Sequence, residues 1–269
     1  MIMPGDYVRF HKFALAGVDA MTASTARRFP RHTHDQYGIG VVDAGAHGSW
    51  SDRGQVEATP GNLICVNPGE VHDGRPLGER SRSWRLLYLD PSTVVDALED
   101  ISDGASRDFM FVAPVFADED VRALFDGAFS HACRGNVMEC ETGLLKLVAC
   151  LRRHSTGGYS ERRRPIPRIA RARARIDADP TAHLSLTELA REAGLSRYQL
   201  IRGFARETGL TPHAYILQHR MARARQLLLG GRDLAEVALA AGFYDQSHLT
   251  RYFVRQFGVT PRRYSSRDD

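Results

Sequence analysis

Asp233–Tyr264, DLAEVALAAGFYDQSHLTRYFVRQFGVTPRRY, is the stretch that decides the C-terminal half of this chain. Asp233 is placed to N-cap a helix, and Glu236 three residues on completes a capping box. Leu234, Val237, Ala238 and Ala241 then recur at helical spacing until Gly242 ends the run. Asp245 caps a second helix, in which Leu249, Phe253 and Phe257 form an apolar stripe. Its other face carries Gln246, Ser247, Thr250 and Arg251, groups able to hydrogen-bond base edges. Gly258 stops that helix, and Thr260-Pro261 opens another with proline at its first position. This is the layout of a helix-turn-helix, whose second helix lies in the major groove of DNA.

The chain writes this unit twice. GLSRYQLIRGFARETGLTP, from Gly194, aligns with GFYDQSHLTRYFVRQFGVTP, from Gly242, with one residue inserted at Tyr244-Asp245. Leu200 pairs with Leu249, Arg202 with Arg251, Phe204 with Phe253 and Gly209 with Gly258. A single helix-turn-helix pattern is a weak signal, whereas two in tandem with matched caps and core positions are a strong one. Between them Thr211-Pro212 opens a helix that runs to Leu229 and ends at Gly230-Gly231. At the usual rise it is ~27 Å long, enough to hold two reading helices near one DNA turn apart, ~34 Å.

The region from about Ile166 to Asp269 resembles the AraC family of bacterial transcription regulators. The residues carrying the resemblance are LTELAREAGLSRYQLIRGFARETGLTPHAYI and AGFYDQSHLTRYFVRQFGVTPRRY. It implies double-stranded DNA as partner, contact with RNA polymerase, a homodimer, and most often activation of transcription. On the first reading helix Leu200 and Phe204 face inward by spacing, which leaves Tyr198, Ile201 and Arg202 for the groove, the positions the family also uses. Ile201 departs from the family's usual polar residue and suits a thymine methyl or no base at all. On the second helix Gln246, Ser247, Thr250 and Arg251 take that role. Arg202 and Arg251 fit guanine bidentately, or else clamp phosphate. Arg197, Arg255, Arg262 and Arg263 fit phosphate contacts or plain surface.

Charge agrees with this division. The chain has 269 residues and a net charge of +4, yet from Ile166 onward 17 arginines face 10 acids, while residues 1–155 sum to −5. A basic half joined to an acidic half fits a nucleic-acid partner for the first only. No apolar run reaches membrane-spanning length and the N-terminus is polar, so a cytoplasmic protein without membrane contact is expected. Cys65, Cys133, Cys140 and Cys150 show no C-x-x-C or Cys/His alternation and read as small buried hydrophobes.

Residues 29–90 are written as short apolar runs broken by Gly, Pro and Asp, including the turn Asp52-Arg53-Gly54, and predict a small antiparallel barrel. His32-Thr33-His34, and Gly61-Asn62-Leu63 leading through Pro68-Gly69-Glu70-Val71 to His72, resemble the two cupin motifs. That resemblance covers about residues 5–92, and such barrels serve as sensor domains in many AraC-family members. In metal-binding cupins the histidines converge with a glutamate, but here Gly38 stands at the glutamate's place. On one strand His32, His34, Gln36, Gly38 and Gly40 would share a face. Three readings follow. His32, His34 and His72, with Gln36 or Glu70 substituting, hold a transition metal; the imidazoles line an organic-ligand pocket that Gly38 and Gly40 leave roomy; or they are simply satisfied within the barrel. The missing carboxylate favours the organic ligand, so no cofactor is expected. Trp84, with Leu86 and Tyr88 on its strand face, and Trp50 are further candidates for the lining.

Helices are expected at 92–101, 118–133 and 139–153, the last with Leu144, Leu147, Val148 and Leu151 as a stripe that either covers the barrel or, as the family resemblance favours, pairs with its twin. STGGYSERRR, then Pro165-Ile166-Pro167, reads as a linker. The expected class is therefore α+β in two domains: a cupin-like barrel with trailing helices over 1–155, a linker over 156–167, and an all-α domain with two helix-turn-helix motifs over 168–269. A small molecule bound in the barrel would control DNA binding. The alternatives are a barrel that only dimerises or binds metal, and a cupin enzyme, against which the missing carboxylate and the fused DNA-binding half both argue.

Overall fold

The computed structural model describes residues 6–11, 15–51, 54–78, 81–134, 137–156 and 166–266. The chain forms two compact units, divided between Ser160 and Glu161. Most of the expected linker (157–165) and the Asp52-Arg53 part of the expected turn lie outside the described residues.

The first unit holds β1 (Tyr7–His11), β2 (Val18–Thr25), β3 (Phe29–His32), β4 (Tyr37–Ala44), β5 (His47–Ser51), β6 (Gly54–Ala58), β7 (Leu63–Val66), β8 (His72–Pro76) and β9 (Arg82–Leu89). Then follow α1 (Pro91–Ser102), β10 (Met110–Phe111), β11 (Val115–Phe116), α2 (Glu119–Arg134), α3 (Val137–Leu151) and β12 (Ser155–Thr156). A six-stranded sheet runs β1-β2-β9-β4-β7-β11 and a four-stranded one β3-β8-β5-β6, with antiparallel pairing in both. Successive side chains alternate across the larger sheet. Ile39, Val41, Leu63, Cys65, Leu87 and Leu89 go to one face, where Val94 and Leu98 of α1, Val121 and Phe125 of α2, and Leu144, Leu147, Val148 and Leu151 of α3 cover them. Trp84 and Tyr88 go to the other and meet the smaller sheet: Trp84 lies 6.2 Å from the Phe29 ring and 5.8 Å from His47, and Tyr88 lies 5.0 Å from His34.

Two expectations change here. The α3 stripe buries against its own sheet, so pairing with a twin would have to use another face of the helix. And His32 does not share a strand with Gly38 and Gly40, because β3 ends at His32, and β4 begins at Tyr37 in the other sheet. The convergence of His32 and His34 therefore depends on the 33–36 connection and not on strand alternation.

Arg85 ties the larger sheet to the helices. Its guanidinium donates to Asp43 of β4 (Nη2 to Oδ1, 2.7 Å), lies 2.9 Å from Asp126 of α2, and stands 5.6 Å over the rings of both Phe125 and Phe129.

The second unit is α4 (Pro167–Ala178), α5 (Leu186–Ala193), α6 (Arg197–Thr208), α7 (Pro212–Leu229), α8 (Leu234–Ala240), α9 (Gln246–Phe257) and α10 (Pro261–Ser266). Ser185 with Glu188 and Ser196 with Gln199 form full capping boxes. Thr211 and Asp245 cap α7 and α9 through the amides of Ala214 and His248. Asp233 takes the amide of Ala235, one residue earlier than the expected box with Glu236 requires. Leu200 and Phe204 pack with Ile169, Ile176, Leu189 and Ile216 in one core. In the second module Phe253 is fully buried, with its ring 4.4 Å from Phe257 and 5.3 Å from Tyr264. Among the described residues no helix is long and apolar enough to cross a membrane.

Truncating Phe253→Ala removes the centre of that cluster and should cost about 3–5 kcal/mol. Urea denaturation followed by far-ultraviolet dichroism, where the helical unit dominates, will show the loss as an earlier midpoint.

Candidate DNA-reading face and barrel site

On α6 Tyr198 is two-thirds exposed (67%), Arg202 is exposed and Ile201 is half-buried. The Arg202 guanidinium stands 5.6 Å over the Tyr198 ring, a cation–π contact that holds both at the front of the helix. On α9 Gln246, Ser247 and Arg251 are exposed and Thr250 is half-buried, while Leu249 and Phe253 on the opposite side are fully buried. The caps explain this aim. Asp245 and Ser196 start each helix at a fixed residue, so the inward phenylalanine fixes which side chains point out. Arg197, Arg255, Arg262 and Arg263 are exposed as well. Tyr244, 86% exposed at the one-residue insertion before α9, also lies on the surface; the insertion was its only mark in the sequence.

Within the barrel His32, His34 and His72 converge, with one ring nitrogen from each inside a 4.8 Å span. The His32 and His34 Nε2 atoms are 3.1 Å apart. Carbonyls set two tautomers. His32 Nδ1–H donates to Pro30 O (2.7 Å) and His72 Nδ1–H to Glu70 O (3.1 Å), so both Nε2 lone pairs are left for the cluster. Burial pulls the pKa of His32 down and that of His72 well down, so both stay neutral. His34 then donates from its own Nε2 to His32. Tyr88 packs on His34, and beside them Gln36 is buried with its amide 3.4 Å from the buried Asp19 carboxylate.

The other candidates separate from the cluster. The Glu70 carboxylate accepts from the amide and side chain of Asn67, both at 3.1 Å, and so belongs to the 67–70 turn and is no fourth ligand in this geometry. A Cβ on Gly38 would meet Tyr88 and Val66 at 3.7 Å, ordinary contact, so this position has room. Gly40 has none: a Cβ there would lie 2.3 Å from Arg85 O and 2.7 Å from Leu86, so the roominess expected of it is absent. Trp50 leaves the lining. On β5 it falls on the face opposite His47, and Arg31 stands 3.9 Å over its ring. Trp84 is interior but joins a second group. There the buried Arg82 guanidinium lies 4.6 Å over its ring, donates from Nε to His47 Nδ1 (2.8 Å) and from Nη1 to the carbonyls of Thr25 and Arg27. Burial and the cations of Arg82 and Arg75 push His47 down to about 3. Asp19, Arg82 and His47 were not recognisable beforehand, since only the pairing of strands distant in sequence brings them inside.

Fold and face together define a tandem helix-turn-helix DNA-binding protein with a β-rich companion unit. A family model for an AraC-like ligand binding domain matches residues 15–148, and one for a helix-turn-helix domain matches residues 189–267. The chain belongs to the AraC family and is a DNA-binding transcription regulator. It is 26% identical over 225 residues to an uncharacterized HTH-type transcriptional regulator of Bacillus subtilis, YbfI, covering 83% of this chain and 82% of that one. The transcriptional regulator MtrA of Neisseria gonorrhoeae is 35% identical over 86 residues, 32% of this chain and 29% of its own length, so that likeness spans under a third of the relative. In structure the chain is similar to fatty-acid-bound ToxT of Vibrio cholerae, with TM-score 0.57, 13% identity, and 98% and 97% of the two chains covered, a likeness of fold.

Two outcomes follow from the geometry. Arg251→Ala should keep the fold and lose about 1–3 kcal/mol of discrimination between preferred and random DNA; competition gel shifts measure this, and an unchanged ratio removes Arg251 from base reading. His47 contributes a pH dependence whose sign is fixed. Its folded pKa lies below the ordinary 6.5, so stability is whole above that value and falls as pH drops from 6.5 towards 3, where the unfolded chain binds the extra proton. Melting temperature against pH should therefore slope less steeply over that window in His47→Gln.

Proposed function

We propose that this regulator is controlled by a small organic molecule held in the barrel beside His32, His34, His72, Gln36 and Tyr88. The observation that carries this is the placing of neutral imidazoles, an amide and a carboxylate in an interior where the fold alone needs only apolar side chains. The room at Gly38 supports it. Glu70 contributes its carbonyl, which orients His72, and Trp84 bounds the interior further along β9. On the DNA side, Tyr198, Ile201 and Arg202 of α6 and Gln246, Ser247, Thr250 and Arg251 of α9 read the groove, with Arg202 and Arg251 on guanine.

The protein acts in the cytoplasm as a homodimer that activates transcription through RNA polymerase, and its barrel has no catalytic role. Its named relatives are regulators, which supports the last point. The exposed Met138, which lines a groove of about 320 Å³ between α2 and α3, and the exposed Val137 next to it in the chain support a second copy docking there.

A second reading rests on the set tautomers. The Nε2 lone pairs of His32 and His72, aimed by Nδ1–H bonds to backbone carbonyls, fit three donors of an open tetrahedral zinc-type centre once His34 gives up its Nε2–H. His32, His34 and His72 would hold the ion, and it would supply a Lewis acid to a ligand's oxygen or nitrogen.

Thermal melts of the full chain against a metabolite panel, with and without chelator, separate the two. A ligand at 100 times its dissociation constant should stabilise the barrel by about 2.7 kcal/mol. A shift that survives chelator supports the organic ligand, and a melting temperature that falls with chelator alone supports the metal. No shift in any arm overturns both.

A further inference from the structure

Arg220 lies on α7, the helix between the two reading modules, and its guanidinium donates to backbone carbonyls drawn from both. Nε donates to Pro180 O (2.7 Å), and Nη2 to Ala182 O (3.0 Å) and, more weakly, Thr181 O (3.4 Å), all in the loop between α4 and α5. Nη1 donates to Gly242 O (2.5 Å), in the turn between α8 and α9. That loop belongs to the first module and that turn to the second. The loop is shaped for the role: the Asp179 carboxylate accepts from the Thr181 amide and hydroxyl and the Ala182 amide, which leaves the carbonyls facing α7. The turn is shaped for it too. Gly242 has φ +83°, and a Cβ there would lie 2.9 Å from Arg220 Nε and 3.0 Å from Thr181 Cα. A planar fork with five N–H donors can span two such clusters of oxygens at once, which an ammonium cannot do.

We propose that Arg220 is a positioning residue that fixes the spacing and rotation of α9 relative to α6, and so the spacing between the two DNA boxes the protein accepts. Arg220 and the residues whose carbonyls it holds are all half-buried, so these bonds are partly shielded from exchange with water. Arg223 is the built-in contrast. Its Nε donates to Ala240 O (2.8 Å), at the end of α8, and so ties α7 to the second module alone. The proposal rests on α6 and α9 both entering DNA.

The probe is a duplex selected by the full-length wild-type chain from a random library, remade with one base pair inserted or deleted between the two selected boxes. Each change rotates one box by roughly a tenth of a turn, ~3.4 Å along the axis. Wild type and Arg223→Ala should each lose tenfold or more in affinity on either altered probe. Arg220→Ala should bind the original probe several-fold more weakly yet lose under threefold on the altered ones, with Arg220→Lys between. Equal spacing penalties in wild type and the folded Arg220 variants overturn the role given to Arg220. Should Arg220→Ala not fold, Arg220→Lys decides on the same criterion. A selected duplex with one box instead of two would overturn the underlying reading that both helices enter DNA.

Discussion

Everything in the first unit turns on the two-residue repeat of β9. Leu87 and Leu89 face the helices while Trp84 and Tyr88 face the smaller sheet, so one strand belongs at once to an apolar core and to a polar interior. The core side is a dense layer of leucine, valine and phenylalanine that holds the sheet without help from the interior. That frees the interior to carry the buried His32, Asp19 and Arg82 beside the half-buried His34 and His72, a load of polar groups that each need a partner. Imidazoles bear this best because burial drives them to shed their charge, and backbone carbonyls take up the N–H that the neutral ring of His32 and of His72 keeps.

The second unit solves a different problem with local means. Its modules are short, and each fixes its own reading face through a cap at one end and a buried phenylalanine in the middle. Caps set where a helix starts, and the inward ring sets its rotation, so the identity of the outward residues follows from sequence spacing alone. What spacing leaves open is how the two modules stand to each other, and that is settled by side chains of α7 acting on backbone carbonyls.

This contrast explains what could be read from the chain before its structure. The C-terminal helices were legible almost to the residue, because Ser185, Ser196, Thr211 and Asp245 act within three residues of themselves. The main departure, Asp233 bonding Ala235 in place of a box with Glu236, is a difference of one residue. The barrel's β character and the gathering of His32, His34 and His72 were legible as well. The strand break at 33–36 was not, nor were the withdrawal of Glu70 into its turn, the exit of Trp50 to the outer face and the closed space at Gly40. Gly40 is closed by Arg85 and Leu86 and Trp50 is covered by Arg31, partners distant in sequence, whereas Glu70 is taken by Asn67 within its own turn. Periodicity reports which residues share a side, but not what the other side has been given to touch.

Arg85 gives β9 one more property. Its backbone lies between Trp84 and Leu86, its side chain is gripped by Asp43 on the next strand and Asp126 on α2, and two phenyl rings sit beneath it. The strand that lines the interior is thus joined to the helix on its other side by a charged contact as well as by the apolar packing of Val121 and Phe125. In mechanical language β9 and α2 carry a cross-tie at this point in addition to the packed layer between them.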